Sequence, residues 1–344
     1  MKQKCLIPEK QLLEQLNESY ALEGVELRFV PIGDSAYSYV VTRKGGERCF
    51  LKIYDTSTRR GRAMVERSDF FLPATRQLHE QDLFTDLAYP WKTTDGLLAA
   101  QHGAYRHMVF NFIEGTSLAD AHPFSPDLEA HVGRQLGWLH RRGSRIEIAH
   151  PVVETFDISF TKALHNNLER LATCPVEDEI TRQLRDTLLP LRAGIDTMMA
   201  RLRTLRQAAV ADLRAPVLCH GDVWGGNLIL HPQGGLFFVD WEAAAFAPAE
   251  CDLLNFLGEG ASNFLANYES TLGKPALLNV DVYGFFQYRR HLRNLHAWLW
   301  SLLCETSSPE QRANDLDMIV NHCIDRWQDI EPSLHRLAGL IRKR

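Results

Sequence analysis

The sequence predicts an α+β chain of two lobes, a small β-rich one followed by a larger, mainly helical one. Three observations predict it. Strand-like runs crowd residues 25–54, and apolar residues at helical spacing dominate 128–142 and 160–213. At 344 residues and 45% hydrophobic, the chain can bury a large core divided between two lobes. The first lobe is expected over residues 1–110, a connecting segment over 111–115 and the helical lobe over 116–344.

Residues 9–22 read as a short amphipathic helix. Strands follow at 25–31, 36–42 and 48–54, the last two separated by Lys44-Gly45-Gly46-Glu47, a strong hairpin signal. Ile32-Gly33-Asp34-Ser35 links the first two. Lys52 stands in the otherwise apolar run Cys49-Phe50-Leu51-Lys52-Ile53-Tyr54. A buried, unpaired ammonium is costly, so Lys52 needs an anionic partner unless it snorkels from an edge strand. A helical stretch follows that carries Glu66 and Glu80, with Pro73 expected to interrupt it. Residues 106–115 read as a strand running into a turn.

In the second lobe, Leu128, Val132, Leu136 and Leu139 mark a helix that should stop at Gly143. The charge runs Glu177-Asp178-Glu179 and 201–206 read as solvated helix faces. Residues 215–219 suit a short buried strand, and 227–230 with 236–239 suit a hairpin turned by Pro232-Gln233-Gly234-Gly235. Asp252 can cap a helix starting at Leu253. Residues 288–303 read as a helix with tryptophans on its core face and arginines in water.

The net charge of −5 argues against nucleic acid as a partner. Residues 1–115 are balanced in charge, so the acidity lies in the second half, which would suit a cationic ligand. Seven scattered cysteines form no close metal-type pair and are read as reduced thiols in a cytoplasmic protein, a monomer or homodimer. The N-terminus lacks the apolar core of a signal peptide. No stretch approaches the roughly 20 apolar residues of a membrane span.

The most informative stretch is His220-Gly221-Asp222-Val223-Trp224-Gly225-Gly226-Asn227, followed by Asp240 at the end of an apolar run. Asp222 can orient an acceptor hydroxyl. Asn227 and Asp240 supply oxygen atoms for Mg2+ on phosphates, and the expected hairpin would return Asp240 beside Asn227. A bare aspartate–asparagine spacing would be an ordinary turn, but the whole string in order points to phosphoryl transfer from ATP.

That segment resembles the catalytic loop of the aminoglycoside phosphotransferase and choline kinase family, relatives of the protein kinases. Asp240-Trp241-Glu242 followed by Asp252-Leu253 is similar to the antibiotic kinases, including the spectinomycin phosphotransferases. Asp222-Val223-Trp224-Gly225-Gly226-Asn227 is similar to the fructosamine kinases. Absence of an arginine between His220 and Asp222 fits a kinase of small molecules with no activation-loop phosphate to read.

The resemblance implies a two-lobe protein-kinase-like fold that uses ATP and Mg2+. In it Lys52 would hold the α- and β-phosphates and pair with a glutamate of the next helix, Glu66 ahead of Glu80. Gly33 and Ser35 would cover the phosphates, although this loop has a single glycine. Backbone groups at Asn111 and Phe112 would meet the adenine, and Asp252 would brace the catalytic loop. The leading acceptor class is an aminoglycoside or aminocyclitol antibiotic. The alternatives are a kinase of a small metabolite (fructosamine, choline, amino-alcohol, sugar or thiamine) and a catalytically silent nucleotide-binding regulator.

Overall fold

Helix α1 (Glu9–Tyr20) buries Leu12, Leu16 and Tyr20, one stripe at four-residue spacing. In the computed structural model, residues 3–33, 35–176, 178–305 and 308–343 are described, so Asp34 and Glu177 lie outside the described residues. After α1 come β1 (Gly24–Val30), β2 (Tyr37–Arg43) and β3 (Arg48–Asp55), then α2 (Arg59–Glu80), β4 (Ala100–His102) and β5 (Tyr105–Asn111). The strands form one sheet in the order β1-β2-β3-β5-β4, each neighbour antiparallel.

Alternation along β3 explains its lysine. Cys49, Leu51 and Ile53 join a buried cluster with Leu12, Leu16, Tyr39, Val41 and Val109. Arg48, Phe50, Lys52 and Tyr54 therefore share the opposite face. Pro73 does not interrupt α2, which runs unbroken through it. A proline removes its own N–H from the helical ladder and crowds the carbonyl four residues back, a cost offset by the burial of Phe70, Phe71, Leu72 and Leu78.

Strand β6 (Thr116–Ser117) and helix α3 (Pro126–Arg142) come next. Ser125 caps α3 by accepting from Leu128 N at 3.3 Å, and Gly143 follows its last turn as expected. The chain continues through α4 (Phe160–Thr173), α5 (Glu179–Leu188) and α6 (Arg192–Val210). It then adds β7 (Val217–Cys219), β8 (Leu228–Leu230), β9 (Leu236–Phe238), β10 (Ala245–Ala247), α7 (Ala261–Leu272), α8 (Val280–Cys304), α9 (Pro309–His322) and α10 (Ile330–Arg342).

Two compact units result. The first comprises Met1–Val153, Pro216–Ala247 and Asn263–Ala276; the second comprises Glu154–Ala215, Pro248–Ser262 and Leu277–Arg344. In the second, α8 buries Phe285, Leu292, Leu295, Trp298 and Leu299. Its arginines are not all in water. Arg289 is buried and meets Glu154 through two bonds of 2.7 and 2.5 Å, with its guanidinium 4.8 Å from the Phe285 ring.

The helix expected from Leu253 is also corrected. Asp252 ends a 3₁₀ turn (Ala249–Cys251) in helical backbone, φ −90° and ψ −12°, rather than in the extended backbone of an N-cap. Turns follow, with Gly258 and Gly260 among them, and α7 starts only at Ala261. The seven cysteines are free. Among the described residues no helix is long and apolar enough to cross a membrane.

Candidate active site

The hairpin of β8 and β9 does for Asp240 what its turn chemistry predicts. Leu228 pairs with Phe238 and Leu230 with Leu236, and Val239 N then donates to Asn227 O at 3.0 Å. Asp240 follows in left-handed backbone, φ 65° and ψ 62°. Few side chains tolerate that conformation, aspartate being one, and such strain concentrates at functional sites.

Asn227 is oriented by Asp222. Its Nδ2 donates to Asp222 O at 2.9 Å and to Asp222 Oδ2 at 3.0 Å. With the amide protons directed at Asp222, Oδ1 is the atom Asn227 can offer a cation. The donor set of Asn227 and Asp240 is all oxygen, with Asp240 partly open to solvent, and it fits a hard divalent ion.

His220 ties the loop to the strand end before Asp240. Its Nδ1 accepts from Asp222 N at 3.3 Å, which leaves Nε2 to donate to Val239 O at 2.9 Å. The ring is buried, with its centroid 4.7 Å from that of Trp241. Gly221 has φ +85°, and a Cβ there would collide with Ala243 O. A Cβ on Gly226 would meet the half-exposed Trp224 indole, which would have to turn aside, whereas at Gly221 the obstacle is backbone.

Lys52 reaches two carboxylates, Asp240 Oδ1 at 2.7 Å and Glu242 Oε1 at 2.5 Å. Tyr54 Oη donates to the same oxygen of Glu242. The expected pairing with Glu66 is therefore corrected. Among the described residues Lys52 is paired with Asp240 and Glu242, while Glu66 is exposed on α2 and Glu80 pairs with Arg76 and Lys92.

The reason lies in what α2 presents at this place, which is a cation. Arg67 Nε donates to Glu242 O at 2.6 Å and its Nη2 to Ala244 O at 2.9 Å. Burial alone would lower the Lys52 pKa, but Asp240 and Glu242 outweigh it and hold the ammonium above its usual range. Burial, then the charges of Glu242 and Asp240, push the Tyr54 hydroxyl well up. Glu242, Tyr54 and Arg67 are functional candidates beyond those drawn from the sequence. Glu242 was within reach, as the second acid of Asp240-Trp241-Glu242, and so was the two-residue spacing of Lys52 and Tyr54.

The remaining expected residues lie on the sheet that carries Lys52 or on the segments that flank its strands. Gly33 has φ +70° in the loop between β1 and β2, and Ser35 follows two residues on. The register Ser38↔Lys52 leads that loop into the strand paired with the lysine. Asn111 ends β5, where its N–H donates to Tyr89 O at 3.2 Å and its Oδ1 accepts from Tyr89 N at 2.7 Å. The ring of Phe112 lies 4.2 Å from the Arg48 guanidinium.

Residues 26–291 match the phosphotransferase enzyme family. The chain belongs to that family. Its members are kinases that use ATP with a divalent metal and transfer phosphate to hydroxyls of small molecules, so this chain is a small-molecule kinase of kinase-like fold. Among solved structures, it is similar to a spectinomycin phosphotransferase in complex with ADP and spectinomycin. That match has 17% identity and a TM-score of 0.75, covering 92% of this chain and 94% of the other.

A choline kinase from Streptococcus pneumoniae is 17% identical with TM-score 0.61, over 95% of this chain and 98% of that one. An amicoumacin kinase is 18% identical with TM-score 0.61, over 91% and 93%. These likenesses carry the fold. No curated protein sequence matches the chain.

Proposed function

We propose that this kinase transfers the γ-phosphate of ATP, as its Mg2+ complex, to a hydroxyl of an aminoglycoside or aminocyclitol antibiotic. The observation that carries the reading is the convergence of Lys52, Asp222, Asn227 and Asp240 within one compact unit. In this reading Lys52 holds the α- and β-phosphates, with Gly33 and Ser35 covering them. Asn227 Oδ1 and Asp240 hold the metal, which when bound would neutralise charge on the phosphates. Asp222 accepts a hydrogen bond from the attacking hydroxyl and aligns it. Phosphoryl transfer passes through a loose transition state, so positioning and charge neutralisation supply most of the rate.

The adenine packs on the face of β3 that Phe50 shares with Lys52. Because the Asn111 N–H is held by Tyr89, the backbone contact to the base falls to Phe112. The antibiotic class is supported by the likeness to the spectinomycin phosphotransferase, whose TM-score of 0.75 exceeds the 0.61 of the choline kinase. A metabolite kinase is the second reading, favoured by an identity to the choline kinase equal to that of the antibiotic enzyme. The free cysteines support a cytoplasmic setting.

The test incubates the protein with Mg-ATP and a panel of aminoglycosides, spectinomycin, fructosamines, choline, amino-alcohols and sugars. Mass spectrometry follows the gain of one phosphoryl group. A phosphorylated antibiotic supports the first reading, and a phosphorylated metabolite moves the chain to the second. Asp222→Asn should bind ATP yet lose turnover, and near wild-type turnover in Asp240→Ala would sink the metal assignment.

A further inference from the structure

We infer that Arg67 is a positioning residue for phosphoryl transfer, latching helix α2 to the turn that carries Glu242 and thereby setting both Lys52 and the loop of Asp222. The inference rests on the kinase reading above and adds a residue outside the nucleotide, metal and acceptor contacts. It starts from three successive carbonyls. Those of Glu242 and Ala244 are both held by the one Arg67 guanidinium, at 2.6 and 2.9 Å. The carbonyl between them, Ala243 O, faces Gly221 so closely that no Cβ would fit.

A shift of this turn away from Arg67 would therefore move the glycine next to Asp222. On the same turn, the Glu242 side chain receives Lys52 at 2.5 Å and Tyr54. One turn along α2 from Arg67, Phe70 is buried and meets Phe246, with ring centroids 6.0 Å apart. Two contacts on one helix face thus grip residues 242–246. Helix α2 sets Lys52 through a cation on carbonyls, where the expected arrangement was a carboxylate on the lysine itself. A planar guanidinium spans two carbonyls with a fixed fork, which an ammonium cannot do.

The experiment compares wild type, Arg67→Met, Arg67→Lys and Asp222→Asn. Mg-ATP hydrolysis in the absence of acceptor gives kcat and KM, calorimetry gives the affinity for ADP without metal, and thermal unfolding gives Tm. A positioning role predicts that Arg67→Met lowers kcat by about ten- to a hundredfold, the scale on which a small displacement of reacting groups slows a reaction. Metal-free ADP affinity should fall as well, because Lys52 grips the α- and β-phosphates that ADP retains, while Tm should stay close to wild type.

Arg67→Lys, which keeps the charge but lacks the planar fork, should fall between, and it carries the test if the methionine variant does not fold. Wild-type kcat in both Arg67 variants, with turnover lost in Asp222→Asn, overturns this inference and leaves the kinase reading standing. A lower Tm with unchanged kcat per folded molecule also overturns it, since it assigns Arg67 to stability alone. A wild-type protein that neither binds nor hydrolyses Mg-ATP overturns both readings together.

Discussion

Lys52 Nζ lies 2.5 Å from Glu242 Oε1, although one stands on β3 and the other two residues beyond Asp240. Both side chains are only 13% exposed, so the pair is a shielded one whose loss would strand a charge. Glu242→Gln keeps the shape but removes the countercharge, and Asp240 then becomes the sole carboxylate at the lysine. We expect kcat for Mg-ATP turnover to fall by about ten- to a hundredfold, with KM for ATP rising as Lys52 loses its position. Tyr54→Phe removes only one bond to Glu242 and should cost several-fold less. Steady-state kinetics on the two variants decide the order; a Tyr54→Phe effect exceeding that of Glu242→Gln would contradict it.

Gly221→Ala tests the middle position of His220-Gly221-Asp222. A left-handed backbone costs a residue with a Cβ about 1–2 kcal/mol, and here the Cβ would also collide with Ala243 O. The loop must shift to accommodate it, carrying Asp222 with it. Urea unfolding should show a loss of about 2 kcal/mol or more, and turnover should fall further than stability accounts for. An alanine variant with wild-type kcat would show that the loop's position is not needed for the reaction.

Much of the centre was legible because its geometry is local. The Pro232–Gly235 turn and the flanking apolar runs set the hairpin, and the hairpin returns Asp240 to Asn227. The partner of Lys52 was not legible, because Lys52 and Glu242 are far apart in the chain and several acids compete on charge alone. What selected Glu242 was the strand face shared by Lys52 and Tyr54, together with Arg67 on the helix where a carboxylate was expected. Asp252 failed for a different reason. An aspartate before an apolar residue carries the same signal whether it caps a helix or closes a 3₁₀ turn, and only Gly258 and Gly260 hint that the helix is delayed.

Arg214 should matter more to stability than the glutamate it pairs with. Its Nη1 lies 2.7 Å from Glu250 Oε1, a wholly buried carboxylate, and its Nε lies 2.8 Å from Asp212 Oδ1, which is also buried. Arg214→Met removes the countercharge from both carboxylates, which keep their bonds from Asn279, and should cost about 3–5 kcal/mol, the range for breaking a buried ion pair from one side. Glu250→Leu leaves Arg214 with Asp212 and partial access to water, so its cost should be smaller. Chemical denaturation of the two single variants measures the difference, and equal losses would mean that Asp212 does not share the load.

His107 supplies an acid-sensitive element on the face of the sheet opposite Lys52, paired with Ile53. The side chain is fully buried on β5, and neither ring nitrogen has a hydrogen-bond partner among the described residues. Burial, with a smaller contribution from the nearby His102, lowers its pKa from 6.5 to about 3. The folded protein therefore keeps this ring neutral where the unfolded chain would protonate it. Between pH 6.5 and about 3 the unfolded state binds the extra proton, so stability falls as pH falls through that window and is flat with respect to this group above it. His107→Leu removes the titrating group while leaving the backbone carbonyl that accepts from Tyr20 Oη at 3.0 Å. Urea unfolding at a series of pH values should show a shallower acid slope in the variant than in wild type, with the two curves parallel above pH 7. Parallel curves throughout would mean that His107 takes up its proton in the fold as readily as in the unfolded chain, so that burial does not hold the ring neutral.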